Sequence, residues 1–170
     1  MEQTSKYAIG FAAIEEMRGE LGSEMPVLFF RMFESAVRKR LTTEFSRGYA
    51  DYLMRDAGKI AGALFAESFT EEAEGPVEFL QSFRALLKGL GYGVLRVEKA
   101  DLDRLKFAFS ISHGIEPSDT EEEGSTGCSF TEGFLSGALS VRFGEEINVK
   151  EIACIAGGET SCRYIAGTDV

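Results

Sequence analysis

Residues 127–166 read GCSFTEGFLSGALSVRFGEEINVKEIACIAGGETSCRYIA, and they hold all three cysteines of the chain, Cys128, Cys154 and Cys162. From Cys128 to Phe143 the residues Phe130, Phe134, Leu135, Ala138, Leu139 and Val141 recur at helical spacing, with Gly133 and Gly137 one helical turn apart. The following stretch, Ile147 to Ile165, reads as a hairpin closed by Gly157-Gly158-Glu159. If those residues form a three-residue loop, position 156 faces 160 and Cys154 faces Cys162. A helix feeding a hairpin gives strands paired through turns, not through parallel crossovers.

The same pattern extends upstream. Leu105, Phe107, Phe109 and Ile111 alternate with Lys106, Ala108 and Ser110, the period of a half-buried strand. Tyr92 to Glu98 is its partner, across the turn Lys99-Ala100-Asp101-Leu102-Asp103. Three helices are expected before these strands. The first starts near Ser23 and Pro26, with Phe29, Met32, Phe33, Ala36, Val37 and Leu41 as its apolar stripe. The second spans about Gly48 to Glu67, with Tyr49, Tyr52, Leu53, Ala57, Ile60, Ala61, Leu64 and Phe65 inward; its small residues, Ala57, Gly58, Ala61 and Gly62, would permit a close helix crossing. The third begins at Pro76, presents Val77, Leu80, Phe83, Leu86 and Leu87, and ends at Gly89 and Gly91. Helices, two strands, a helix and two strands make an α+β fold, a small antiparallel sheet packed with helices. The C-terminal helix and hairpin would close a metal site.

The chain divides into an N-terminal arm or short helix over residues 1–24 and one domain over 25–170. Tyr7, Phe11, Ile14 and Met17 suggest the short helix, interrupted by Gly10 and Gly19. Glu71 to Gly75 is an acidic break, and Glu116 to Gly127 reads as a solvated connector.

At 170 residues the chain can bury roughly 70% of its unfolded surface and needs no covalent staples. Its net charge of −10 speaks against nucleic-acid binding by this chain alone and against an anionic membrane surface. No apolar run is long enough to span a membrane. The first residues lack the basic-then-apolar layout of a signal peptide, and an odd number of cysteines does not suit a disulfide framework, so the expected location is cytoplasmic. His113, the only histidine, sits at a strand end and is expected to be exposed. No P-loop, nucleophile elbow or dinucleotide fingerprint is present.

Cys128, Glu151, Cys154 and Cys162 are candidate ligands of a structural zinc, which takes four thiolate, imidazole or carboxylate donors. Cys128 would come from a helix N-terminus, where backbone N–H groups favour a thiolate. On a regular strand Glu151 and Cys154 point to opposite faces, so a shared site requires a bulge at Ile152-Ala153. The residues also allow buried inert thiols, a Cys154–Cys162 disulfide, or redox chemistry.

Several segments resemble the 4-vinyl reductase domain family. They are Phe134-Leu135-Ser136-Gly137-Ala138-Leu139, Val149-Lys150-Glu151-Ile152-Ala153-Cys154 and Gly157-Gly158-Glu159-Thr160-Ser161-Cys162-Arg163-Tyr164, with Gly58-Lys59-Ile60-Ala61-Gly62 and Leu87-Lys88-Gly89-Leu90-Gly91-Tyr92-Gly93 upstream. The resemblance implies a ligand-binding domain, similar in fold to subunits of the Golgi transport-tethering complex. It also implies a homodimer and a zinc on Cys128, Glu151, Cys154 and Cys162 beside a pocket for a small hydrophobic molecule. Without tryptophan and with His113 alone, the chain lacks the polar contacts that aromatic-sensing members offer a phenol. Phe79, Phe83, Phe107, Phe109, Phe130 and Phe134 are the candidate lining of a more purely apolar pocket. The function expected is a sensory or carrier module acting with a separate effector protein. Two alternatives are a reductase or accessory factor for a tetrapyrrole vinyl group, for which no flavin or nicotinamide motif is visible, and a dimeric scaffold without ligand.

Overall fold

The computed structural model describes residues 25–69, 75–116 and 127–170. The arm at 1–24, the Ser23 cap and most of the two acidic connectors lie outside these residues. In order come α1 (Val27–Glu44), α2 (Arg47–Phe69), α3 (Pro76–Gly89), β1 (Val94–Asp101), β2 (Lys106–Ser112), α4 (Ser129–Phe143), β3 (Asn148–Ala153) and β4 (Cys162–Gly167). The four strands form one antiparallel sheet in the order β1-β2-β4-β3, so the fold is α+β as expected.

Strand alternation decides which side of the sheet meets the helices. Leu95, Phe107, Phe109, Ile111, Cys162, Tyr164 and Ala166 are buried in one core with Phe79, Phe83 and Leu87 of α3 and Phe134, Leu135, Ala138 and Leu139 of α4. Lys106, Arg163 and Ile165, on the other strand face, are exposed.

Helix α4 is buried almost all round, which its small residues make possible. A Cβ on Gly133 would lie 1.9 Å from the Arg55 carbonyl oxygen of α2, and one on Gly137 2.0 Å from that of Lys59. Gly58 and Gly62 of α2 meet α4 in the same way, at the carbonyls of Phe130 and Phe134. Only glycine permits backbones this close, so the expected close crossing exists and joins α2 to α4.

Two expected helix faces are overturned, that of α2 by this same contact. Tyr49, Tyr52 and Ile60 of α2 are exposed, and its buried residues are Ala50, Met54, Gly58, Gly62 and Ala66. On α1, Phe29, Met32 and Phe33 are exposed, whereas Glu34 is buried. Large apolar residues suggested the inward face, but α2 is held by its smallest ones. In α3 the expected face holds at Leu80, Phe83 and Leu87, while Val77 is exposed.

The expected three-residue hairpin loop is also corrected. The β3–β4 ladder stops at Ala153↔Arg163, and Ile155–Gly157 forms a 3-10 turn. The Cys154 carbonyl accepts N–H groups from Gly157 at 3.0 Å and Glu159 at 3.4 Å, which curls the chain back before the strand can continue.

Candidate metal centre and aromatic core

Cys128 is the cap residue ahead of α4, Glu151 sits on β3, Cys154 on the turn and Cys162 at the start of β4. The expected bulge is present: Glu151 pairs with Tyr164 but Ala153 with Arg163, so the register shifts across Ile152, whose side chain is exposed. The shift lets Glu151 and Cys154 share one buried space despite being three residues apart.

The sulfurs form a triangle, with Cys128–Cys154 at 3.9 Å, Cys128–Cys162 at 3.7 Å and Cys154–Cys162 at 3.5 Å. One ligand atom from each of the four residues lies within 4.8 Å of all the others, and all four residues are buried. A disulfide has a bond of about 2.0 Å, and all three cysteines are free. Tetrahedral bonds of about 2.3 Å would hold sulfurs about 3.8 Å apart. The triangle has that size, and the residues could hold a metal ion.

The electrostatics suit a cation. Glu151 Oε2 accepts the Cys128 N–H at 3.1 Å, while its Oε1 is buried with no hydrogen-bond partner. Burial pushes the Glu151 carboxyl up to about 7. Hydrogen bonds from Cys128 and Cys162 push the Cys154 thiol below its ordinary range. The Cys128 thiol is pushed up by its bonds to Cys154 and Cys162, and then by burial. Three thiolates 3.5 to 3.9 Å apart would repel one another strongly in this buried space and require a positive charge among them.

The residues that brace the cluster were not visible in sequence. Glu132, in the first turn of α4, is buried, and its Oε1 accepts the Glu151 N–H at 2.7 Å. Its Oε2 accepts Arg55 Nε of α2 at 2.8 Å and also Arg55 Nη2. Glu132 therefore holds the bulged backbone that aims Glu151. On the other side of the same helix start, buried Glu116 accepts the N–H groups of Phe130 at 3.1 Å and Thr131 at 2.7 Å. Burial pushes its carboxyl up to about 7. Arg38 of α1 bonds buried Glu34 at 2.7 Å, lies 3.7 Å from Glu116 and pairs with Asp51 of α2. The only signal for Glu132 was an acidic residue at the start of an otherwise apolar helix, which a solvent-facing side chain would explain equally well. His113 is exposed, as expected.

The six phenylalanines are brought together with other rings. Phe79 stacks on Phe83 at 5.3 Å, Phe83 on Phe134 at 6.2 Å, Phe134 on Phe130 at 6.4 Å and Phe107 on Phe109 at 5.8 Å. Phe143 bridges the two sets, lying 6.1 Å from Phe79 and 5.2 Å from Phe107. Phe130 is half-buried and meets half-buried Phe30 of α1 edge-on at 5.7 Å.

Residues 107–168 match the family model of the vinyl-4-reductase (V-4-R) domain. No curated protein matches the chain significantly. Among solved structures, the phenol-responsive sensory domain of the transcription activator PoxR, with phenol, is 20% identical; the alignment covers 84% of this chain and 76% of that one, with a TM-score of 0.73. A vinyl-4-reductase family protein from Methanocaldococcus jannaschii is 18% identical over 92% of this chain and 90% of that one, with a TM-score of 0.58. The trafficking protein particle complex subunit 3 from Naegleria fowleri, covalently bound to palmitic acid, is 9% identical over 83% and 93%, with a TM-score of 0.63. At such identities these likenesses concern the fold. The sequence resemblance to the 4-vinyl reductase domain family is thus borne out over residues 107–168, the matched domain that contains all four residues of the cluster.

Proposed function

We propose that the chain is a cytosolic, zinc-containing module that binds a small hydrophobic molecule and serves as a sensor or carrier. The observation that carries this reading is the sulfur triangle of 3.5 to 3.9 Å with a partnerless carboxylate oxygen beside it. Cys128, Glu151, Cys154 and Cys162 would hold the ion. Zinc there supplies positive charge and ties the start of α4 to the β3–β4 connection, a structural role that four protein ligands suit. Three thiols free of disulfides fit a reducing compartment.

The ligand belongs to the aromatic cluster of Phe79, Phe83, Phe107, Phe109, Phe130 and Phe134, entered where Phe130 meets Phe30. Support comes from two solved proteins of similar fold that hold a small molecule, phenol in one and palmitic acid in the other. Tyr92 stacks on Phe134 at 4.6 Å, but its hydroxyl is already engaged by Thr131 at 3.0 Å, so these rings offer a ligand chiefly hydrocarbon and an apolar molecule fits them better than a phenol. No helix among the described residues is long and apolar enough to cross a membrane. Leu28, Phe29, Met32 and Phe33 expose an apolar side of α1, which supports a homodimer through that helix. A separate effector protein would read the bound state.

Native mass spectrometry of the untagged protein tests the reading. It should show a dimer, one zinc per chain and a co-purified apolar mass; a metal-free monomer would overturn it.

A further inference from the structure

A groove between α3 and the edge strand β1 is used by nothing described above. One part is a cavity of about 500 Å³ whose walls include Gln81, Arg84, Lys88 and Arg96. It adjoins a second of about 310 Å³, walled by Val77, Leu80, Val97, Ala100 and Leu102, and the two share Gln81 and Arg84. Neither wall contains a carboxylate. The groove is therefore cationic at one end and apolar at the other.

The cationic end is unusual for a chain of net charge −10. Arg38, Arg40, Arg55, Lys59, Lys106 and Arg163 each pair with a carboxylate. Among the described residues Arg84, Lys88 and Arg96 have no such partner, as holds also for Arg31, Lys39 and Lys99, but only in the groove do three such cations gather in one wall. Arg84 and Lys88 stand one turn apart on α3, a like-charge spacing that costs the helix a little stability. The helix dipole accounts for a cation in the last turn, Lys88, but not for Arg96 on the strand opposite. Arginine forks suit the planar, multi-oxygen edge of a carboxylate or phosphate.

We propose that this groove binds an amphiphilic anion, with a carboxylate or phosphate head on Arg84 and Lys88, Arg96 reaching it round the free edge of β1, and a short apolar tail along Leu80, Val97 and Leu102. The cavity sizes are those of small-molecule sites, which run about 300–1,000 Å³. No residue of the groove belongs to the cysteine cluster or the aromatic cluster, so this site stands or falls apart from the zinc reading.

Titration calorimetry on the full, metal-replete chain uses octyl phosphate below its micellar concentration, with inorganic phosphate and octanol as the two halves. Octyl phosphate should bind at least about tenfold more tightly than either half, and more weakly as salt is raised. The double variant Arg84→Gln, Arg96→Gln should lose about tenfold or more, with its metal content and melting temperature unchanged. Leu102→Ser should weaken octyl phosphate and leave inorganic phosphate as it was. Equal binding of octanol, unaltered binding by the double variant, or no binding at all overturns the site. So does binding to phosphatidic-acid vesicles without binding of octyl phosphate, which would make the surface a membrane contact.

Discussion

Glu151 reaches the cluster because Glu132 captures its backbone N–H, and the same carboxylate is anchored by Arg55 across the α2–α4 contact. Glu132→Ala would leave a buried N–H unsatisfied and free the bulge, at a cost of about 2 kcal/mol. Zinc affinity, measured by competition with a chromogenic chelator, should fall about 10- to 100-fold, as for other residues that orient a metal ligand. Glu132→Gln keeps an acceptor for the N–H and should retain most of the affinity; equal losses in both variants would remove this positioning role. Glu116 makes a separate prediction. Its folded carboxyl is raised to about 7 from 4.5, so the folded protein binds the proton more tightly than the unfolded chain. Its contribution is complete below the lower value and is lost as pH rises through the upper one. Wild type minus Glu116→Gln, followed by urea unfolding, should therefore fall with pH between these values, by on the order of 3 kcal/mol. A flat difference would mean that Glu116 stays ionised throughout.

The pairing of α2 with α4 rests on glycine, and its energetics can be read from two alanines. Gly137→Ala puts a methyl 2.0 Å from the Lys59 carbonyl oxygen, a backbone atom that cannot step aside. Overpacking of this kind should cost about 3 kcal/mol in denaturant unfolding, with zinc affinity falling as the start of α4 shifts. Gly48, on the partner helix α2, has nothing within 4 Å of its missing Cβ. Gly48→Ala should stabilise by about 0.5–1 kcal/mol, so the pair separates packing from helix propensity. The small residues of α2, Ala57, Gly58, Ala61 and Gly62, were readable as a close crossing. The inward face of α2 was not, since Tyr49, Tyr52 and Ile60 make the more apolar stripe and yet are exposed. Hydropathy ranks side chains by transfer energy, whereas two helices in backbone contact select by size.

For the molecule as a whole, the cluster joins elements far apart in the chain: a helix start, a strand, a turn and the strand after it. If zinc holds them, its binding energy is folding energy. A strong chelator should then lower the melting temperature by about 10 °C or more, corresponding to several kcal/mol. Cys162→Ala should show the same drop and no further response to chelator; an unchanged melting curve would make the thiol inert.

Element order, the antiparallel hairpins, the four residues of the cluster and the bulge between Glu151 and Cys154 were all legible in the amino-acid sequence by itself. The order, the hairpins and the bulge follow from local rules, strand alternation above all, which forbids residues three apart from sharing a face unless the strand is interrupted. Cys128, Glu151, Cys154 and Cys162 were candidates on their chemistry, and the family resemblance grouped them into one site. The curl at Cys154, the buried carboxylates Glu132 and Glu116, and the outward turn of α1's large apolar side chains were not legible. They depend on which backbone groups lie opposite one another once α4 has packed on α2 and the sheet. An acidic residue reads the same in sequence whether it meets water or a buried N–H.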